Sequence, residues 1–247
     1  MKKIKPIDLA VATEKAIMEY IHSLDLGKSN KLPREEELAK RLGVSRITVR
    51  SALAQLAAEG TIFRKQGKGT FVNTEAIQIQ VNFSPIEDFR KVIIKSGYKV
   101  ETEIRQITVR GATSNESLEL DIPVNSEIII IDKIFFADKH AAIYCIDRIP
   151  TALFVGKINK TNMSLPQAEL VKKHMNRKII WDKVELLTTT TSEIPDLERY
   201  FESRQTNSLL KCNVVNFDED DKPIIYSTEY INTDLIKFNL IRKKSGY

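Results

Sequence analysis

The chain has 247 residues, 42% apolar and 29% charged, which is enough for two packed domains of about 70 and about 160 residues. Its net charge of +5 comes entirely from residues 1–75, where 14 Lys and Arg stand against 9 Asp and Glu; the remainder holds 24 of each. That asymmetry points to a polyanionic partner for the N-terminal part and to nothing comparable for the rest. No apolar run reaches the roughly 18 residues of a membrane span, and Met1-Lys2-Lys3 lacks a continuous apolar segment behind it, so a cytoplasmic location without a membrane partner is expected. Cys145 and Cys212 are isolated in apolar stretches and read as small buried residues. No metal site and no cofactor is expected.

The first helix, over residues 8–24, places Ala12, Ala16, Tyr20 and Ile17, Ile21, Leu24 at helical spacing. A second helix is expected to begin at Pro33, whose missing N–H costs nothing in a first turn. Glu35, Glu36 and Glu37 then favour the macrodipole, Leu38, Ala39 and Leu42 form the apolar stripe, and Gly43 ends the helix. Ser45 caps a third helix that turns Val49, Ala52, Leu53 and Leu56 inward and Arg46, Thr48 and Arg50 outward. Gly60 stops it. Two strands, 61–64 and 70–72, are joined by Lys65-Gln66-Gly67-Lys68-Gly69, a basic turn whose glycines let the backbone approach a phosphate or enter a minor groove. Arginines on the first turns of a capped helix suit guanine O6 and N7, and Ser or Thr suits phosphates and base edges. The layout is a winged helix-turn-helix.

Residues 32–72 resemble the N-terminal domain of the GntR family of bacterial transcription regulators, whose signature runs Leu-Pro-Ser-Glu-Arg-Glu-Leu-Ala, then Val-Ser-Arg-x-Thr-Val-Arg, then Gly-x-Gly-Thr. The likeness spans roughly residues 7–73, and it implies DNA contacts at Ser45, Arg46, Thr48, Arg50, Lys65, Gly67, Lys68 and Gly69. One position departs. Glu36 stands where the family carries a DNA-contacting Arg; a carboxylate there repels phosphates or shifts base preference toward a cytosine N4 donor, with Arg34 replacing part of the lost charge.

After a polar linker at 74–82, the second domain is expected to span 83–247. A helix over 85–95 is followed by strands at 100–110, 127–137, 141–149, 178–190, 208–217 and 223–231, rich in β-branched and aromatic residues, with helices at 114–120, 166–175 and 195–203. A weak internal repeat runs at an offset of 82 residues, matching Glu116 with Glu198, Ile128 with Leu210, Phe135 with Phe217, Ile143 with Ile225, Tyr144 with Tyr226, and Thr151 and Leu153 with Thr233 and Leu235. Two such copies would form similar halves of one antiparallel sheet around a concave ligand site.

A GntR-type head, a linker and a β-rich domain of this size resemble the HutC subgroup, whose effector domain, UTRA, shares its fold with chorismate lyase. The matching pieces are Asp88-Phe89 through Gly97, Phe136-Ala137-Asp138 with Ile149-Pro150 and Leu153-Phe154, and residues 223–238. The overall class is therefore α+β. In UTRA domains that bind phosphorylated sugars, an Arg-x-Arg pair grips the phosphate, while two Glu and a Tyr bond hydroxyls; the aligned positions here are Lys133 and Phe135, then Cys145, then Ile225 and Ile231. The resemblance thus implies an effector more apolar than a sugar phosphate, held near Phe89 with one anionic group on Lys133 or Arg90. It also implies a homodimeric repressor on an inverted-repeat operator. An inert dimerisation domain and an enzyme of lyase-like fold are the rival readings. Against the enzyme, residues 76–247 show no nucleophile with a base, no metal cluster and no phosphate-cradling Gly loop. The GntR subgroup with a metal site of Asp and three His does not fit a chain with only His22, His140 and His174, and the subgroup fused to an aminotransferase-like domain needs far more chain.

Overall fold

The computed structural model of the chain describes residues 6–78, 81, 83, 88–193, 200–201 and 208–241, which fall into two compact units, 1–84 with 239–247 and 85–238. In the first unit, α1 (Pro6–Ser23), α2 (Glu35–Leu42) and α3 (Arg46–Ala58) are followed by a hairpin of β1 (Ile62–Lys65) and β2 (Gly69–Val72). Ile17, Ile21, Leu38, Val49, Leu53, Leu56, Ile62 and Val72 form its core, each contributing about 1.5–3 kcal/mol by leaving water. On α1, Ala12, expected on the apolar face, is exposed and Thr13 is buried; Thr13 Oγ1 donates to Leu9 O at 2.7 Å, so burial leaves the hydroxyl satisfied.

Helix α2 starts two residues later than Pro33 suggests. Leu32 N donates to Thr70 O (2.9 Å), Val72 N donates to Asn30 O (2.7 Å), and Lys31 bridges Phe71, so residues 30–32 form a short third strand beside β2. That pairing keeps the chain extended through Arg34, which caps the helix with φ −64° and ψ 153° and makes no side-chain capping bond. Gly43 closes α2 in the left-handed region (φ 65°), where other residues are strained. The expected linker contains a short helix, α4 (Thr74–Gln78). Residues 239–241, expected with the second domain, belong to the first unit: Asn239 N donates to Val81 O at 3.1 Å and Phe83 N to Asn239 O at 2.8 Å.

The second unit is built on six antiparallel strands in the order β3-β4-β5-β8-β7-β6. They are β3 (Val100–Gly111), β4 (Glu127–Ala137), β5 (His140–Pro150), β6 (Trp181–Thr190), β7 (Ser208–Phe217) and β8 (Pro223–Ile231). The helices are α5 (Phe89–Lys95), α6 (Ser114–Leu120), α7 (Lys160–Met163) and α8 (Gln167–His174); α7 has no counterpart among the elements read from the sequence. The helix expected at 195–203 falls almost wholly outside the described residues, as do residues 85–87 and Glu198.

The order places β3-β4-β5 and β6-β7-β8 as two halves related by a pseudo-two-fold, joined where β5 pairs with β8. Ile146 pairs with Thr228, its own image at an offset of 82, so the axis passes between these two residues. On the flanking strands the offset slips by one. Phe135 pairs with Ile143, but Ile225 pairs with Asn216, so the counterpart of Phe135 is Asn216 and not Phe217. The sheet is covered on one face by Met163 of α7 and Leu170 and Val171 of α8, packed on Ile129, Ile131, Ile149 and Ile225. On the other, Leu120 of α6 packs with Ile128, Val215 and Tyr226.

Glu116 ties α6 to the sheet. Thr113 Oγ1 accepts from Glu116 N, Glu116 Oε2 accepts from Thr113 N, and the same carboxylate binds Arg110 of β3 (2.7 Å) and Arg148 of β5 (2.8 Å). The Arg110 bond above all holds its carboxyl at about 2, against the opposing effect of burial. Stability from a lowered carboxyl is complete above the unfolded-state value, about 4.5, and is lost as pH falls toward 2. Glu116→Gln should therefore cost about 2 kcal/mol in urea unfolding at pH 7, and the gap from the native protein should close as the pH is taken down from 4.5 toward 2.

Candidate nucleic-acid interface and effector face

The exposed side of α3 carries its charge in a set geometry. Ser45 caps the helix by accepting from Thr48 N (3.1 Å), and its hydroxyl lies 2.8 Å from Thr48 Oγ1. Arg46 and Arg50 are one turn apart and exposed. Each is held by α2: Arg46 Nη1 lies 2.8 Å from Glu36 Oε1, and Arg50 donates to Glu35 Oε2 from Nε (3.1 Å) and Nη2 (3.0 Å). The other oxygen of Glu35 accepts from Arg64 of β1 at 3.0 Å, so one carboxylate joins α2, α3 and the hairpin. Glu36, the departure from the family signature, thus faces Arg46. Ile47 is 79% exposed beside these arginines, where an apolar side chain could meet a thymine methyl.

In the hairpin, Lys65 Nζ sits over the stacked rings of Phe63 and Phe71 at 5.2 and 5.1 Å, and Gly67 and Gly69 take φ of 71° and 115°. Lys31 approaches Gly69 so closely that a Cβ there would lie 3.2 Å from its Cε. Lys68 and Arg34 are exposed. Arg64, Lys31, Ile47 and Glu35 are additions to the residues singled out in the sequence. Strand alternation does not give Arg64 away, since it would place Arg64 with buried Ile62, and the position of Lys31 depends on the added strand.

In the second unit, strand register places Phe135, Ile143 and Ile231 in one row and Lys133, Cys145, Glu229 and Cys212 in the next, all on the face covered by α8. Phe89 of α5 meets Phe135 edge-on at 5.5 Å, and Arg90 lies over the same ring at 5.6 Å while bonding Asp88 (3.1 Å) and Ser164 O. Ile225 and Ile231 are fully buried. Lys133 does not offer the open cation expected of it. Its ammonium is buried and 2.8 Å from Asp147 Oδ2, because an unpaired charge at that depth would be far costlier than a paired one. Cys145 Sγ (3.2 Å) and Ser227 Oγ (2.6 Å) donate to the other oxygen of Asp147; burial opposes ionisation of that carboxyl, but Lys133 and these donors hold it below its usual value.

The face is also more polar than Cys145, Ile225 and Ile231 suggest. Asp147, Ser227 and Glu229 lie on it, at the alternate positions of the same strands. Period-two alternation alone places Ser227 and Glu229 with Ile225 and Ile231. Glu229 is 7% exposed, its Oε2 has no hydrogen-bond partner, and burial, then Asp147 and Asp182, push its carboxyl up to about 8. Both cysteines are free and buried; burial raises both thiols, Cys212 to about 12. Among the described residues there is no cluster of His, Cys, Asp or Glu able to hold a metal, and no helix long and apolar enough to cross a membrane.

Residues 9–72 match the model of the gntR family of bacterial regulatory proteins, and residues 95–237 match that of the UTRA domain. The chain is 25% identical over 216 residues to a probable fructoselysine utilization operon transcriptional repressor of Escherichia coli K12, covering 86% of each. Its fold is similar to that of a possible transcriptional regulator, YydK, from Bacillus subtilis (TM-score 0.75, 18% identity, 95% and 99% of the chains) and to PhnF from Mycobacterium smegmatis (TM-score 0.57, 14% identity, 94% and 100%). With the helix-turn-helix head and the six-stranded unit each matched to its own model, the chain belongs to the GntR family as a transcriptional regulator, not an enzyme, with a C-terminal UTRA domain.

Proposed function

We propose that this is a cytoplasmic repressor of the HutC subgroup that binds an inverted-repeat operator as a homodimer and is controlled by a small molecule on the α8-covered face of its UTRA domain. The observation that carries the reading is the row of outward arginines, Arg46, Arg50 and Arg64, held by Glu35 and Glu36 beside a basic glycine turn. Arg46 and Arg50 read base edges; Ser45, Thr48, Arg34, Lys65 and Lys68 bond phosphates or sugar; Gly67 and Gly69 let the turn approach the duplex. Glu36 competes with DNA for Arg46. The effector is less polar than a sugar phosphate, resting on Phe89 and Phe135 near Arg90, with Lys133, Cys145, Ile225 and Ile231 shaping the floor. The unpartnered Oε2 of Glu229 favours this reading over an inert dimerisation domain.

The edges of the sheet support the dimer. β3 presents exposed Glu101, Glu103 and Arg110 with one exposed apolar residue, Val109, whereas β6 presents exposed Trp181, Leu186 and Leu187 among Asp182, Lys183 and Glu185. A second copy of β6, antiparallel about Val184, sets Lys183 opposite Glu185 and Trp181 opposite Leu187 from both sides.

On a selected operator, Arg46→Ala with Arg50→Ala should lower affinity by at least about 100-fold in fluorescence anisotropy and flatten the salt dependence; undiminished binding would refute the groove contacts. Glu36→Gln should tighten binding about threefold to tenfold at low salt, with the gain fading as salt screens the charge. Val184→Cys should be joined into a covalent dimer by a short bis-maleimide, Cys145 and Cys212 being buried, while Val109→Cys on β3 should not; the opposite pattern would move the interface to the other edge.

A further inference from the structure

The pseudo-two-fold that carries β5 onto β8 carries Cys145 onto Ser227 and Asp147 onto Glu229. It also carries Lys133, which pairs with Cys145, onto Val214, which pairs with Ser227. Asp147 therefore has a cation at 2.8 Å, and at the equivalent place Glu229 has the apolar side chain of Val214. The hydroxyl and thiol of the cluster, Ser227 and Cys145, both donate to Asp147, and Gln167 Nε2 of α8 is turned to Ser227 at 3.4 Å. Glu229 Oε2 is left buried without a donor.

Charge counting gives the same result as symmetry. Lys133, Asp147, Cys145, Cys212, Asp182 and Glu229 are the titratable groups about this point, and the cation among them is already bonded to Asp147. Asp182 is exposed to solvent, so among the buried groups ionised Glu229 leaves the cluster one positive charge short.

We propose that the ligand supplies it: Glu229 receives the ammonium group of a small amine bound on the α8-covered face, an assignment that rests on the effector reading above. The ammonium stands in for the second lysine that the pseudo-symmetry would place at Val214. The rest of the molecule extends toward Phe89 and Phe135. Because burial keeps the empty site protonated near neutral pH, binding of the ammonium form releases the carboxyl proton to solvent.

The test uses the full chain and matched probes that differ at the amine: hexylamine against 1-hexanol, and 2-phenylethylamine against 2-phenylethanol. The amine of at least one pair should raise Tm and bind at least about tenfold more tightly by calorimetry, with a heat that varies with buffer ionisation as expected for release of up to one proton. Glu229→Gln should abolish that preference. The same variant without ligand should be more stable than the native protein at pH 7.5, because a raised carboxyl costs stability above its unfolded value of about 4.5, and the gain should vanish near pH 4.5. Val214→Lys should lower Tm less in the native background than beside Glu229→Gln.

A preference that survives Glu229→Gln, the absence of any shift with either amine, or equal losses for Val214→Lys in both backgrounds would overturn the proposal. Response of operator binding to a ligand without an amine would overturn the amine class and leave the effector reading standing. Operator affinity indifferent to every small molecule tried would instead sink the effector reading itself.

Discussion

The second unit depends on the pairing of β5 with β8. These strands are central, and between them they carry Cys145, Asp147, Ser227 and Glu229 on one face and the stacked pair Tyr144 and Tyr230 on the other. A slip of one residue would exchange the faces, burying the tyrosines against α8 and turning the carboxylates to the opposite side. Buried Asp147 helps to resist such a slip, because its bonds to Lys133 on β4 and Ser227 on β8 span three neighbouring strands and exist in one register. Polar groups at this depth weaken the core compared with apolar packing, but they select one arrangement of it.

The first unit uses carboxylates differently. Glu35 is partly buried and joins three elements through Arg50 and Arg64, which orients the recognition helix against the hairpin. Exposed pairs of this kind contribute only about 0.2–1 kcal/mol each, so their effect on folding is small. Their effect on reading DNA is larger in proportion. An arginine held in one rotamer before docking loses less entropy when it docks, while the carboxylate that holds it repels the approaching phosphates. Glu35 and Glu36 weight these terms differently: Glu35 is shielded and grips two arginines, and Glu36 is exposed and grips one.

Much of this was legible in the sequence because it follows from local rules. Ser45, Gly43 and the spacing of Val49, Leu53 and Leu56 define α3 and its neighbours, and β4, β7, β8 and α6 lie within the bounds that alternation and capping suggest. What escaped depends on contacts between distant segments. Pro33 falls outside α2 because residues 30–32 pair with β2, forty residues on, and Lys133 lost its role as an open cation to Asp147, fourteen residues away on the next strand. The internal repeat holds in topology with its offset one smaller on β4 and β7, since three residues, 219–221, separate Asp218 from Lys222 in the second hairpin where two, 138–139, separate Ala137 from His140 in the first. Ser227 and Glu229 differ in kind: the family's ligand pattern falls on Ile225 and Ile231, and alternation along the same strand places the two polar residues between them on that face.

The repeat also explains why asymmetry within the sheet carries information. The pseudo-two-fold makes positions in the two halves equivalent, and a core tolerates a charged residue only with its partner. Where one half keeps the pair, Lys133 with Asp147, and the other keeps the acid without its base, Glu229 facing Val214, the difference has no counterpart in packing: a valine and a lysine stem both fill apolar space, but only one ends in a charge. Gln or Leu at this position would remove the burial cost, so the stability that Glu229 gives up is what a bound cation would restore. The position of Glu229, two residues from Ser227 and directly opposite Cys145, puts that cation at the join of the two halves, where it would draw β5 and β8 and the helix above them into one polar network.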